Sequence, residues 1–219
     1  MSAYVEELNP ATESTHMQLL DFRRSVENLY TRARNPDLGL EERISRFRRQ
    51  RDRLFHHHPQ SALSDAQKSR FAGLNYYPYD PAWRFELHID TNVEASIIEI
   101  QLQDDGTTRM QRFGRVHFRA EDRNLSLSLY WCMGYGGGVF LPFRDSTNGK
   151  ATYGGGRYLL DTIKNADLGN EGQRLVVDFN YAYNPSCAYN ARWHCPLAPE
   201  ENHLPLAVHA GEQCYLDRA

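Results

Sequence analysis

The sequence predicts a mainly β protein with N-terminal α-helices: a small antiparallel β-barrel packed against an αα-hairpin, with a two-sheet β-sandwich as the alternative. Two observations carry this. Apolar residues recur at spacings of three and four up to about residue 55, and at spacings of two from about residue 83. From there to about residue 180, seven or eight short strand signals alternate with turn clusters of hairpin length, and no helical pattern intervenes. So many short strands avoid a long open edge by closing on themselves, although counting strands does not separate a barrel from a sandwich.

Residues 15–34 read as an amphipathic helix with Leu19, Phe22, Val26, Leu29 and Ala33 on one face. Asn35-Pro36-Asp37 stops it, because proline cannot continue a helix and restricts the residue before it. A second helix begins near Leu40, with Leu40, Ile44, Phe47 and Leu54 on its apolar stripe. The short connection makes the pair a helical hairpin that shields one side of a core or mediates a homodimer. The expected division is a helical arm over 1–58 and a β-barrel domain over 59–219 with a proline-rich C-terminal wrap. That tail carries Trp, Tyr, Leu and Val, which a free tail would lack.

Six arginines, Arg43, Arg46, Arg48, Arg49, Arg51 and Arg53, crowd the second helix. No aromatic stacking platform accompanies them, so they read as a solvated face whose long stems cover apolar neighbours, not as a nucleic-acid site. Ser64-x-x-Gln67 has the form of a capping box at the start of a short helix. The strand signals are Trp83–Ile89, Ser96–Leu102, Gly114–Phe118, Leu125–Trp131, Val139–Pro142, Arg157–Leu160 and Arg174–Phe179. Turn signals separate them at Asp104-Asp105-Gly106, Glu121-Asp122, Gly134–Gly138, Asn148-Gly149 and Gly169–Gly172.

At 219 residues and 41% hydrophobic content the chain can bury a sizeable core, and a net charge of -3 argues against a general nucleic-acid or membrane-surface binder. The first ten residues show neither a basic region nor an apolar run, and no apolar stretch is long enough to span a bilayer; the expected location is the cytoplasm.

Two segments offer chemistry. Between Phe140 and Leu160, Arg144, Asp145, Lys150 and Arg157 surround Asn148-Gly149 and Gly154-Gly155-Gly156. Successive main-chain N–H groups in such a turn can cradle an anion, and either arginine could clamp a carboxylate or phosphate. The spacing is that of neither a P-loop nor a dinucleotide fingerprint. The segment equally reads as tight hairpins joining two strands through the Asn-Gly turn, with Arg144 and Asp145 paired elsewhere. In the second, Asp178 and Asn180 share one face of a strand, with Tyr183 and Asn184 at its end, where a barrel opening would place a ligand. Asp178 could serve as acid or base there, or belong to a polar network anchoring the tail. His117 is the other candidate acid or base if its strand face is the barrel interior. Ligand-binding candidates are therefore Arg144, Asp145, Tyr153, Arg157, Asn180, Tyr183 and Asn184, and catalytic candidates His117 and Asp178. Tyr76, Tyr77 and Trp83 would line an apolar pocket in the rival reading of a non-enzymatic binder.

No cofactor or metal is expected. Adjacent histidines such as His56-His57-His58 point in different directions, and Cys187, His194, Cys195, His203, His209 and Cys214 fit no common zinc module. Zinc on that tail is the minority reading; buried thiols, or Cys187 and Cys195 in close contact, are preferred.

HPQSALS, FAGLNYYPYDPAWRF, GRVHF, FLPFRDSTNGKATYGGGRYL, DFNYAYNPSCAY and CPLAPEENHLP, in this order, resemble the bacterial and archaeal family DUF1684 over roughly residues 40–215. The resemblance maps the family's shared residues onto His58, Arg144, Asp145, Tyr153, Gly155, Gly156, Arg157, Asp178, Asn180, Asn184, Cys187, Cys195, Glu201 and Asn202. His203 stands where the family pattern has an arginine. The family is defined as one of unknown function, so the resemblance implies no reaction. The expectation is a small polar or anionic ligand in a barrel pocket, with catalysis open.

Overall fold

The computed structural model describes residues 10–102 and 106–218, with side chains from residue 14 onward. The first nine residues and the Asp104-Asp105 part of one predicted turn lie outside the described residues. Helices α1 (Pro10–Ala33) and α2 (Leu40–His57) form the expected hairpin. Among the described side chains of α1 the buried ones lie in its second half: Leu29, Tyr30 and Ala33 pack with Ile44 and Phe47 of α2 and with Ala166 and Tyr181 of the β region, while Leu19 is 39% exposed. A capping box between Ser64 and Gln67 starts the single turn α3 (Asp65–Lys68), shorter than the sequence pattern implied.

The buried stripe of α2 is Ile44, Phe47, Arg51 and Phe55. Its spacings of three, four and four are those of one helix face, with an arginine standing where an apolar residue is the rule. Arg46, Arg49 and Arg53 form the expected solvated face. Arg43, Arg48 and Arg51 turn inward instead, because hydrogen-bond acceptors wait on that side: Arg48 donates to the Tyr77 carbonyl at 2.9 Å, and Arg51 pairs with Glu212 at 3.1 Å.

Among the described residues nine antiparallel strands follow: β1 (Arg84–Leu87), β2 (Ile89–Asp90), β3 (Ser96–Gln101), β4 (Thr107–Ala120), β5 (Arg123–Cys132), β6 (Gly138–Phe143), β7 (Arg157–Asp161), β8 (Asn170–Glu171) and β9 (Arg174–Asp178). One sheet runs β1-β9-β8; the other runs β2-β4-β5-β6-β7, with β3 also on β4. A single residue, His88, separates β1 from β2, so the chain passes there from one sheet into the other.

Strand β4 is three times as long as its sequence signal, and a bulge between Arg112 and Gly114 divides it into a half that pairs β3 and a half that pairs β2. Gly114 allows this crossing: a Cβ there would lie 2.7 Å from Ile89 Cγ2. The outer half was hidden because the β3–β4 hairpin buries only alternate residues shallowly, leaving Ile97 50% exposed.

The barrel does not close. The open seam lies between β7 and the end of β9; among the described residues the isolated bridge Tyr158–Tyr183, just beyond β9, is the one β-bridge across it. Asp178 caps a 3-10 helix over Phe179–Tyr181, so the chain leaves the strand conformation just where closure would need it. The two sheets instead enclose one core: Leu87, Leu175 and Val177 face Val116, Leu127, Leu129, Leu141 and Phe143. Phe179 sits at its centre with the rings of Trp83, Phe85, Phe118 and Phe143 at 5.1–6.0 Å.

The C-terminal segment completes this core. Asn202, Leu204, Leu206, Val208 and Ala210 are buried in strict alternation with less buried neighbours. The first part runs parallel to residues 144–146, with Arg144 N donating to Asn202 O, Leu204 N to Arg144 O and Ser146 N to Leu206 O at 2.8–2.9 Å. Residue pairing between β5 and β6 is confined to Tyr130–Cys132 and Gly138–Phe140; beyond it the Asn202 side chain fills the gap. Its Oδ1 accepts from Ser128 N at 2.8 Å, and its Nδ2 donates to Ser128 O at 2.9 Å and Pro142 O at 2.7 Å. One amide thus satisfies three buried backbone groups that a sheet would otherwise pair.

Asn202→Ala strands those three groups without partners. Each orphaned buried group costs roughly 1–3 kcal/mol, discounted where water enters, so we expect a loss of about 3 kcal/mol in urea unfolding. A loss below about 0.5 kcal/mol would show that the gap between β5 and β6 needs no bridge.

Candidate functional site

In the Phe140–Leu160 segment, β6 ends at Phe143, β7 begins at Arg157, and the residues between form a loop rather than a hairpin turn. Asn148 organises it with its side chain: Oδ1 accepts from Asp145 N at 2.6 Å and Nδ2 donates to Tyr153 O at 2.7 Å. Gly156 has φ +93°, and a Cβ would lie 2.5 Å from the Phe143 carbonyl oxygen, so here the glycine is required. Gly156 serves this close return to β6 and Gly155 makes room for the Tyr153 and Leu197 side chains, so no anion cradle is needed to explain them.

Asp145 and Arg157 face each other in the interior. Their 2.8 Å ion pair has both side chains fully buried. Arg157 also donates to the carbonyls of Val208 at 3.0 Å, Ala210 at 2.5 Å and Glu212 at 3.2 Å, and Phe143 packs 5.0 Å from the guanidinium carbon. Asp145 Oδ1 accepts from Thr147 N at 2.8 Å and the Thr147 hydroxyl at 2.6 Å. These contacts anchor the C-terminal segment. Arg144 is half-buried and reaches the Gly154 carbonyl at 3.3 Å. Arg144, Arg157 and Asp178 therefore do not converge on one pocket.

The other predicted residues divide. His117 is exposed on the outer sheet face, 3.7 Å from Asp90 and away from the core. Asn184 donates to Gln213 O at 2.8 Å and holds the tail, and the Tyr183 ring packs 5.2 Å from the Arg51 guanidinium carbon. Tyr76, Tyr77 and Trp83 line no common apolar pocket: Tyr76 stacks under Arg48, Tyr77 neighbours His209, and Trp83 packs on Phe179. His203 and His209 point outward, and among the described residues no group of three or more His, Cys, Asp or Glu side chains could hold a metal ion.

Asp178 and Asn180 do lie together. Asp178 Oδ1 accepts from the Asn180 backbone N and side-chain Nδ2, both at 2.9 Å, and Asn180 in turn pairs with both main-chain groups of Asp80. Asp178 also lines a cavity of about 90 Å³ between the helices and the three-stranded sheet, with Arg34, Arg43, Arg84, Glu171 and Tyr181 among its walls. Arg43 is among the lining residues too, and its Nε is buried without a hydrogen-bond partner. Burial raises the Asp178 carboxyl above its ordinary range, opposed by the Asn180 hydrogen bonds and by Arg84 and Arg48.

The sequence singles out Asp178 but not the arginines that line the cavity with it. Arg84 opens a strand and Arg43 lies on a helix about forty residues earlier, so only the fold reveals that they meet. The Arg51–Glu212 pair was also missed. Glu212 accepts the Tyr189 hydroxyl proton in a short hydrogen bond, and Arg51 donates to that hydroxyl at 3.1 Å. Its available signal was an arginine in phase with Ile44, Phe47 and Phe55.

The family model described as a protein of unknown function, DUF1684, matches residues 69–213. The chain is also similar to an uncharacterized protein of Haloarcula marismortui whose structure was determined in solution by NMR. The two are 33% identical, the match covers 81% of this chain and 95% of that one, and the TM-score is 0.58. No curated protein matches. Among the described residues no helix is long and apolar enough to cross a membrane.

Because the folded state holds the Asp178 proton more tightly than the unfolded chain, stability contributed by the protonated form is lost as pH rises through the folded pKa. Asp178→Asn keeps a capping oxygen but cannot ionise. We expect the melting temperature of the variant relative to the parent to rise with pH from about 4 upward. A difference that stays constant across that range would show that Asp178 ionises as freely in the fold as in the unfolded chain.

Proposed function

We propose for this chain, which belongs to the DUF1684 family, that it binds a small polar or anionic ligand in the cavity between the helical hairpin and the β1-β9-β8 sheet. The observation that carries the reading is Arg43, a cation on the wall of that cavity whose buried Nε has no hydrogen-bond partner. An unpaired buried donor is costly, and a bound acceptor removes the cost.

The cavity's size limits the ligand. At about 90 Å³ it holds about three waters' worth of liquid volume, enough for a compact oxyanion or carboxylate and too little for a nucleotide. Its charges are arranged for recognition. Arg84 is partly committed to Glu86 at 2.7 Å and Glu171 at 3.8 Å, and Arg34 to Glu27 at 3.0 Å, whereas Arg43 reaches only the Ala33 carbonyl at 3.4 Å among the described residues and is the donor a ligand would engage. Asp178 accepts both Asn180 hydrogen bonds on Oδ1, so its other oxygen is available to the ligand. With a raised pKa it can present a proton to an anion or take one from an acid, and catalysis would use that exchange. The ligand role expected of Arg144 and Arg157 passes in this reading to Arg43 and Arg84.

Titration of isotope-labelled protein with inorganic phosphate and, separately, formate tests this. We expect saturable shifts in the backbone amides of Gly169, Asn170 and Val176, reduced at least tenfold in apparent affinity in Arg43→Met. The methionine covers the same apolar neighbours without the charge. Unchanged amide positions around the cavity with both probes up to about 10 mM would contradict the proposal; weaker binding is outside the range of a built site.

A further inference from the structure

The Tyr153, Cys187 and Cys195 cluster lies apart from the cavity, and its residues have no part in the ligand reading. Cys187 sits in a 3-10 turn over Ser186–Ala188, and its backbone N donates to Cys195 Sγ at 3.4 Å. Cys195 Sγ therefore lies against Cys187, and the Tyr153 hydroxyl donates to Cys187 Sγ at 3.5 Å. Both cysteines are free thiols. Their neighbours hold them in place: Tyr158 donates to the Pro196 carbonyl beside Cys195 at 2.5 Å, and Leu197 seats against Gly155, where a Cβ would lie 2.8 Å from its side chain. Cys187 is buried, whereas Cys195 and Tyr153 are half-exposed, so the pair opens to solvent on one side.

We infer that Cys187 and Cys195 form a redox-active dithiol site, in which Cys187 attacks a hydroperoxide and Cys195 resolves the product to an intramolecular disulfide. The Cys187 backbone N–H holds Cys195 Sγ beside Cys187, and the Tyr153 phenol donates to the Cys187 sulfur, a donor that favours the thiolate there. The direction of the shifts agrees. The Cys195 hydrogen bond, assisted by Tyr153, brings the Cys187 thiol down to about 6 against its burial, while Cys195 is raised. Burial pushes Cys132, outside the cluster, up to about 11. A thiol that served packing alone would need no donors.

The chemistry balances. The Cys187 thiolate forms an S–O bond with the distal peroxide oxygen as the O–O bond breaks, and the departing hydroxide takes a proton from solvent. Cys187 is then a sulfenic acid, oxidised by two electrons. The Cys195 sulfur forms the S–S bond as the S–O bond breaks, and the Cys195 proton leaves with the hydroxide as water. Two thiols lose two hydrogens and hydrogen peroxide becomes two waters. The disulfide would join the two ends of the 187–195 loop beside the Gly154–Gly156 turn.

Folded full-length protein treated with limiting hydrogen peroxide, quenched with iodoacetamide and mapped by mass spectrometry tests this. We expect the Cys187 and Cys195 peptides to appear linked and lighter by two hydrogens, to separate with dithiothreitol, and Cys132 and Cys214 to remain alkylated. In Cys195→Ser the link is lost and dimedone traps Cys187 as its sulfenic acid. Without peroxide, Cys187 should be alkylated at pH 7 on the order of tenfold or more faster than Cys132, and Tyr153→Phe, which keeps the ring, should narrow that ratio. Cys187 and Cys195 that resist peroxide as Cys132 does, or Cys187 carried to sulfinic acid without linkage in the parent protein, would overturn the inference.

Discussion

Arg157 is the interaction on which the rest of the structure depends. Its guanidinium, fully buried, meets Asp145 on one side and the carbonyls of Val208, Ala210 and Glu212 on the other. A buried charge is tolerated when it is paired and most of its donors are used: Asp145 supplies the counter-charge, and both terminal nitrogens of Arg157 find acceptors, three of them carbonyls of the C-terminal segment, while Nε has no partner. The consequence is that the C-terminal segment is part of the core. Leu204, Leu206 and Val208 are buried because Arg157 and Asn202 hold the backbone around them, and through them the open side of the two-sheet fold is covered. A second buried pair, Arg51–Glu212, ties the same segment to α2, so residues near 212 link helix, sheet and tail at once.

This arrangement explains why the residues that look most like chemistry in the sequence serve architecture. Charged and amide side chains in FRD, DFN, NPSC and PEEN meet main-chain groups that strands leave unpaired at the open seam and in the gap beside Asn202. A closed barrel would have satisfied those groups within the sheet. Because the ladder ends at β7, Asp145, Arg157, Asn180, Asn184 and Asn202 do that work. The proposed ligand cavity next to Asp178 and the proposed dithiol next to Tyr153 lie at the margins of the tie.

Much of the fold was legible from residue patterns, for physical reasons. Leu125, Leu127 and Leu129 alternate because β5 buries one face, Ser64 and Gln67 signal a helix start by reciprocal hydrogen bonds, and Glu121-Asp122 adopts the positive φ values of a tight hairpin. Openness of the sheet was not legible, since closure depends on the Asp178 cap at the end of β9 and no period in the sequence records it. The alternation of Asn202, Leu204, Leu206, Val208 and Ala210 was present in the sequence but masked by prolines, which suit an extended segment without a full ladder. Of the site, Asp178 and the Cys187–Cys195 proximity could be read from local composition. The arginines around Asp178 could not, because Arg34, Arg43 and Arg84 become neighbours only when the helices dock on the three-stranded sheet.

The most direct test of this account is native-state hydrogen exchange and urea unfolding of Arg157→Met. Removing one partner of a buried ion pair leaves Asp145 uncompensated, which costs about 3–5 kcal/mol. The account predicts a loss of that order, together with loss of protection at Ser146, Leu204 and Glu212, whose amides bond across the interface of the C-terminal segment. Stability within about 0.5 kcal/mol of the parent, with those amides still protected, would contradict it, because the C-terminal segment would then hold its place without the buried charge.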